Sequence, residues 1–296
     1  MSTVLQGIYE LIKKKLTRHS FSVSPITKIN YGIQFEISKD MWESKLRIYE
    51  KKNGVLKIDY SPLKGEKAEA VRSIIEDREV IAEESITLAY PYIGTDESGK
   101  GDTFGPLTVA GVALGLEQER LLADAGVCDS KMNDDEANLL LAGVIRRECP
   151  SSFHVLTLMP EQYNLLYSQF GNLNPMLAGL HTEIIQTLII RHNCPVAIVD
   201  QFADSRLITK HFENKKIKLY HTTGGEKYTA VAAASILARE AFLKGLKELS
   251  QAYGVDLPKG SGEHAARAME KIKGKKLTGK MHMMAKTHFS NVKAVL

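Results

Sequence analysis

The sequence predicts an α/β protein: a mixed sheet flanked by helices, preceded by a small α+β unit. Three observations carry this. Early in the chain, "YGIQFEIS" and "KLRIYEKKNGVLKIDYSPL" alternate apolar and polar residues, and Asn53-Gly54 is a preferred two-residue hairpin turn. Later, "TLAYPYIGTD" and "FGPLTVAGVAL" read as strands around a glycine-rich loop, with "FHVLTLM" as a third. Beyond them "PVAIVD" is a short continuous apolar run between helical stretches, the mark of a strand buried on both faces.

Taken in order, residues 1–20 form an amphipathic helix with Val4, Ile8, Leu11, Ile12 and Leu16 on its apolar stripe. Ile33, Phe35 and Ile37 give the first strand one buried face, the hairpin follows, and a helix is expected over about Lys64–Asp77. This unit ends near "EDREVIAEES", which divides the chain into residues 1–86 and 87–296. In the second unit Asn133 is expected to cap a helix whose first turn holds Asp134, Asp135 and Glu136, favourable at the positive end of its dipole. Pro150 ends that helix, and Asn174-Pro175 opens the next, which runs to about Asn193. A further helix, a short strand "KIKLY" and a long helix over about Lys227–Tyr253 complete the alternation.

The composition, 44% hydrophobic and 25% charged, is that of a globular protein with a sizeable core. No apolar run approaches the roughly 20 residues that span a bilayer, and the N-terminus lacks the pattern of a secretory signal. Cys128, Cys149 and Cys194 lie far apart without metal-ligand spacing, so reduced thiols and a cytoplasmic location are expected. Charge is unevenly spread. Basic residues exceed acidic ones by 4 over residues 1–80 and by 7 over 259–293, and fall short by 7 between. A phosphate-backbone partner suits the ends, and an acidic middle would need a cation to approach it. Solvated lysine-rich surfaces would give the same counts.

The loop "GTDESGKGDTFG" nearly spells a phosphate cradle, with Gly94, Gly99 and Lys100 at G-x-x-x-x-G-K spacing. Gly101 stands where a nucleotide site needs Ser or Thr, and Asp96 and Glu97 would repel phosphates from inside the cradle. Carboxylate oxygens suit Mg²⁺ or Mn²⁺ instead. Neighbouring residues on a regular strand face opposite ways, so this pair can share a site only where the strand breaks, which the glycines permit. An acidic surface turn is the competing reading.

Asp200 ends "VAIV" at the carboxyl end of a buried strand, where open α/β sheets place ligand sites. It would there be paired or metal-bound, or else cap a helix starting near Asp204. Glu240 lies on the long helix, whose run Ala230, Ala232, Ala233, Ala234 and Ser235 lets it press close to the sheet. That would bring Glu240 to the strand ends, although an exposed pair with Lys244 explains it equally. Asp204 and Glu226 are rival candidates for a fourth carboxylate.

Together "GTDESGKGDTFGPLTVAG", "DSK" (Asp129–Lys131), "VDQF" and "AAASILARE", with "LPKGSG" and "THFSN" further on, resemble the type 2 ribonucleases H over residues 90–296. The extra N-terminal unit, "GKG" in place of GRG, and Glu after Ala-Arg resemble the ribonuclease HIII branch. The resemblance implies a ribonuclease H-like sheet behind an N-terminal domain similar to the TATA-binding-protein fold that helps hold substrate. It implies cleavage of the RNA strand of RNA–DNA hybrids with Mg²⁺ or Mn²⁺, leaving 3′-hydroxyl and 5′-phosphate ends. Asp96, Glu97, Asp200 and Glu240 would match the family's four acids and carry two metal ions. Gly99, Lys100 and Gly101 would read 2′-hydroxyls, and Ser130 and Lys131 match a segment near the substrate backbone. The tyrosine that ribonuclease HII uses for lone ribonucleotides has no assigned match here, so runs of ribonucleotides are the expected substrate. No protein partner or membrane is implied, and a monomer is expected. A nucleotide triphosphatase and a non-catalytic nucleic-acid binder are the rival functions.

Overall fold

The structure, a computed structural model, describes residues 3–50, 56–76, 88–127, 134–200, 202, 204–213, 215–222 and 224–296. They divide into two compact units, Met1–Ser85 and Ile86–Leu296.

The first unit contains α1 (Thr3–Arg18), β1 (Ser22–Val23), β2 (Thr27–Ile29), β3 (Gly32–Lys39), β4 (Trp42–Glu50), β5 (Leu56–Asp59) and α2 (Ala68–Ile75). Its sheet runs β1-β3-β4-β5 with β2 also on β3, antiparallel throughout. Ile33, Phe35 and Ile37 are buried, as the alternation requires, against Leu46 and Ile48 of β4. The stripe of α1 is turned from the expected one. Leu5, Tyr9, Ile12 and Leu16 enter the core, whereas Val4 and Leu11 are exposed. Tyr9, an aromatic with a polar tip, decides the register, since its ring meets Phe35 edge-on and its hydroxyl donates to the Ser24 carbonyl. The expected helix over 64–77 shortens to α2, because Gly65 holds a left-handed φ of 91° beneath the Trp42 ring. The Asn53-Gly54 turn lies outside the described residues.

The second unit contains β6 (Tyr92–Ser98), β7 (Leu107–Leu114), α3 (Leu116–Asp124), α4 (Asp135–Glu148), β8 (Phe153–Leu158), α5 (Pro160–Phe170) and α6 (Leu173–His192). After these come β9 (Val196–Asp200), α7 (Arg206–Thr209), β10 (Lys218–Thr222), α8 (Thr229–Tyr253), α9 (Glu263–Gly274) and α10 (Ser290–Lys293). The sheet order is β10-β9-β6-β7-β8. Its β6-β7 and β7-β8 pairs are antiparallel, while β6-β9 and β9-β10 are parallel, so it is mixed as expected. One apolar core lies between the sheet and α8, α3 and α4, and a second between the sheet and α6, α5 and α7. Gly94 lets α8 close on the sheet, since a Cβ there would sit 2.2 Å from the Val231 nitrogen.

Two caps move. Asp134, not Asn133, caps α4 by accepting from the Ala137 amide, and Asn133 lies outside the described residues. Asn172, not Asn174, caps α6, accepting from the Asn174 amide. The short helices α3 and α5 have no counterpart in the sequence reading.

Candidate metal centre

Pairing between β6 and β9 ends at Thr95↔Val199, while β7 continues beside β6 to Ser98↔Thr108. A cleft therefore opens at the carboxyl ends of the two parallel strands, with Asp96 and Glu97 on one lip and Asp200, the last residue of β9, on the other. The break in β6 expected at the acids comes later, at Gly99, where φ is 90°. Asp96 and Glu97 consequently keep strand alternation and point to opposite faces.

Asp96 faces α8. Its carboxyl is pushed up to about 7 by burial and by the Glu97 charge, with Asp200 adding to the rise, against hydrogen bonds from Ser235 and the Glu97 amide. Glu97 faces α6. Burial alone would raise it, but the hydrogen bond and charge of His181, with Lys100, bring it down to about 2. Lys100 Nζ lies 2.8 Å from Glu97 Oε1, and His181 Nε2 lies 3.3 Å from Oε2. The other His181 nitrogen, Nδ1, is 2.9 Å from Thr95 Oγ1. With a carboxylate accepting there, Nε2 donates to Glu97, and the Thr95 hydroxyl is the partner at Nδ1. The ring is fully buried and stacked on Phe202, so this chain has little freedom to turn.

Asp200 Oδ1 accepts from the Gly225 amide at 2.9 Å. Gly225 opens a 3-10 turn, Gly225–Lys227, which sets Glu226 one residue from that contact. The N-cap position of α7 is Ser205, not Asp200. Asp204, just before the N-cap Ser205, accepts from the Arg206 amide and guanidinium.

Glu240 is not brought to the three acids. Its Oε2 receives Arg146 Nη2 at 2.6 Å and Nε at 3.1 Å from α4, a pair the expected Lys244 partner does not make. The reason is rotational. Ser235 faces Asp96, and five residues further along a helix is roughly 140° around its axis. Among the described residues no three His, Cys, Asp or Glu side chains converge closely enough to form a ready metal cage. The four acids expected to converge are therefore not gathered as one cage: Asp96, Glu97 and Asp200 stand at neighbouring strand ends, Glu226 follows the Gly225 contact, and Glu240 pairs with Arg146.

The donor chemistry nevertheless fits a divalent cation. Asp96, Glu97 and Asp200 lie near one another at the strand ends, and burial with the charges of Glu97 and Asp200 disfavours an ionised Asp96, the condition a bound cation would relieve. Oxygen donors of this kind match Mg²⁺ or Mn²⁺.

In the loop, Gly99 is irreplaceable on packing grounds, since a Cβ would lie 2.2 Å from the Pro106 carbonyl oxygen. Gly101 is not, having nothing within 4 Å of its would-be Cβ. Its open surroundings suit the close approach of a ligand to the backbone. Lys100 between them is exposed. Ser130 and Lys131 lie outside the described residues. Sequence reasoning missed Thr95 and His181, and only one signal could have found them: a histidine set in the apolar face of "MLAGLHTEII".

A family model for ribonuclease HII matches residues 93–292. Ribonuclease HIII of Protochlamydia amoebophila (strain UWE25) is 40% identical over 208 residues, covering 70% of this chain and 68% of that protein. Ribonuclease HIII of Chlamydia abortus is 44% identical over 207 residues, 67% of each chain. Among solved structures, Bst-RNase HIII in complex with Mn²⁺ superposes with a TM-score of 0.64 at 25% identity, over 97% of this chain and 95% of that one. Aquifex aeolicus RNase H3, at 24% identity and a TM-score of 0.58, shares the fold over 96% of this chain and 97% of its own.

Proposed function

This chain belongs to the ribonuclease HII family, on its ribonuclease HIII branch, and from that premise we propose how its residues cut an RNA–DNA hybrid. It is a ribonuclease H, a hydrolase acting on such hybrids. The observation that carries the reading is the set of carboxylates at the ends of β6 and β9, where Asp96 is pushed up to about 7 by burial and by the neighbouring acids.

Asp96, Glu97 and Asp200 would hold the divalent cations, and Glu226 rather than Glu240 would complete the set. Mg²⁺ or Mn²⁺ bound there supplies positive charge at the scissile phosphate and makes attacking water more acidic, the logic of a two-metal site. The chain's own part is placement. The Gly225 amide fixes the Asp200 carboxylate through Oδ1. His181, pinned by Thr95, sets the Glu97 carboxylate. Asp96 would ligate in its ionised form, which a bound cation would favour. The Gly99–Gly101 backbone contacts 2′-hydroxyls, which distinguishes RNA from DNA, and water attack leaves 3′-hydroxyl and 5′-phosphate ends. The N-terminal unit would add hybrid affinity through the open face of its sheet, where Gln34, Lys45 and Arg47 lie opposite the helices.

One assay set tests this: a labelled hybrid, a DNA duplex and a single-ribonucleotide duplex, each with Mg²⁺ or Mn²⁺. Cleavage confined to the hybrid's RNA strand, with those ends, is expected. Asp200→Asn should abolish it and keep hybrid affinity, and a chain lacking residues 1–80 should show a raised KM. Turnover by Asp200→Asn would remove that residue from the metal centre, and an unchanged KM would remove the N-terminal unit from substrate binding.

A further inference from the structure

The segment "LPKGSG" (Leu257–Gly262) and the stretch from Met284 to Asn291, which ends in "THFSN", both close on the back of the glycine loop. The loop turns at Gly99–Asp102, with the Asp102 amide donating to the Gly99 carbonyl, and residues 102–105 anchor it. On one side the Gly260 amide donates to Asp102 Oδ1 at 2.6 Å, and the Thr103 amide donates to the Gly260 carbonyl at 3.1 Å. On the other, the Lys286 amide donates to the Thr103 carbonyl at 2.9 Å, and the Gly105 amide to the Met284 carbonyl at 3.1 Å. Asn291 Nδ2 ties the two sides, donating to Thr103 Oγ1 at 3.0 Å and to the Ser261 carbonyl at 3.1 Å.

At the centre is Lys286, with no exposed surface. Its ammonium donates to the Asp102 carbonyl at 3.0 Å and the Gly105 carbonyl at 2.8 Å, and lies 5.6 Å from the centre of the Tyr163 ring. Burial pushes this amine down to about 7, and the Asp102 charge only partly offsets it. An ammonium is a costly way to fill a core position that a methionine would fill by packing alone. What a methionine lacks is two donors for two carbonyls at the ends of one short segment.

We propose that Lys286 is a positioning residue for ribose recognition, cross-linking the Asp102 and Gly105 carbonyls so that the Gly99–Gly101 backbone meets the 2′-hydroxyl in register. This rests on the reading of the loop given above. Backbone readout tolerates little displacement, about 0.5 Å, and a loop with a loose rear anchor would still bind a phosphate backbone while losing its sense of the sugar.

The test measures binding in Mg²⁺ of an RNA–DNA hybrid and of a DNA duplex of the same sequence, in the full chain carrying Asp96→Asn so that cleavage is slow on the timescale of the measurement. Lys286→Met should lower the hybrid-to-DNA affinity ratio by about tenfold, the scale of two carbonyls losing their donors, with DNA affinity unchanged. A merely structural loss would weaken both ligands alike. A folded Lys286→Met protein that keeps the parental ratio overturns the proposal. Should that variant fail to fold, Asn291→Ala decides in the same assay, with about a threefold fall expected for one side-chain amide and no fall counting against the proposal. Gly101→Ala, whose methyl enters open space, separates the two levels of inference. If it leaves the ratio intact, the loop reading fails and the proposal with it. If it collapses the ratio while Lys286→Met does not, only the role of Lys286 is refuted.

Discussion

The two faces of β6 treat neighbouring acids in opposite ways. On the α8 face Asp96 is pushed up to about 7 by burial and by Glu97, with Asp200 adding, and a hydroxyl and an amide as its stabilising partners. On the α6 face Glu97 is no less enclosed, yet His181 and Lys100 outweigh burial and bring it down to about 2. Depth does not separate them; partners do. An acid supplied with a histidine and a lysine is favoured in its charged form by the protein, whereas an acid buried beside two others is disfavoured as a charge, which a bound cation would offset. The contrast shows that the fold spends its own charges on orienting one ligand and leaves the other for the metal.

The largest effect tests the unsatisfied face. Asp96→Asn is expected to reduce cleavage on the order of 10³-fold, the scale of losing a preorganised electrostatic group. It should also stabilise the metal-free protein. A carboxyl whose folded pKa lies above its ordinary 3.8 contributes stability at low pH that is lost as pH rises through about 7. Asparagine has no proton to lose, so in chelator its Tm should increasingly exceed the parent's as pH climbs through that window, then hold a constant margin. A margin that is flat from pH 4 to pH 8 would show that Asp96 carries no such tension.

A smaller effect asks which acid joins the unsatisfied face. Glu226→Gln should lower kcat by about a hundredfold. Glu240→Gln should leave kcat within about threefold and lower stability by about 1 kcal/mol or less, because its pair with Arg146 is partly exposed. The reverse order would return Glu240 to the centre.

The smallest effect sharpens the satisfied face. His181→Asn should weaken Mn²⁺ binding, read by calorimetry, by about tenfold, as expected when the partner of a ligating carboxylate is lost. Unchanged affinity would mean that Glu97 holds its place without the Thr95–His181 chain.

Local chemistry was legible in the chain wherever it was self-contained. The alternation of Ile33, Phe35 and Ile37 gave a buried strand face, and the unbroken "VAIV" gave a strand covered on both sides. The alanines of α8 announced a helix pressed against the sheet, as Gly94 confirms from the opposite side. The candidate site was legible in part. Asp96, Glu97 and Asp200 stood out because acids at strand ends are costly and glycines flank them. Helix phase misled twice: Val4 and Leu11 were read onto the buried stripe of α1 in place of Leu5 and Tyr9, and Glu240 was read toward the strand ends. Rotation about a helix axis is fixed by what packs on it, and a window of sequence contains only half of that contact.

By itself, then, the sequence determined which residues carry charge, where strands must be buried, and which glycines free the backbone, since each follows from the side chain and its immediate neighbours. Tertiary structure alone decided that His181 meets Glu97, that Arg146 claims Glu240, that Gly225 holds Asp200 and that Lys286 sits beneath the glycine loop. These contacts join residues from 25 to 181 positions apart, and which groups meet over such separations is set by how helices dock on a sheet, not by any local preference of the chain.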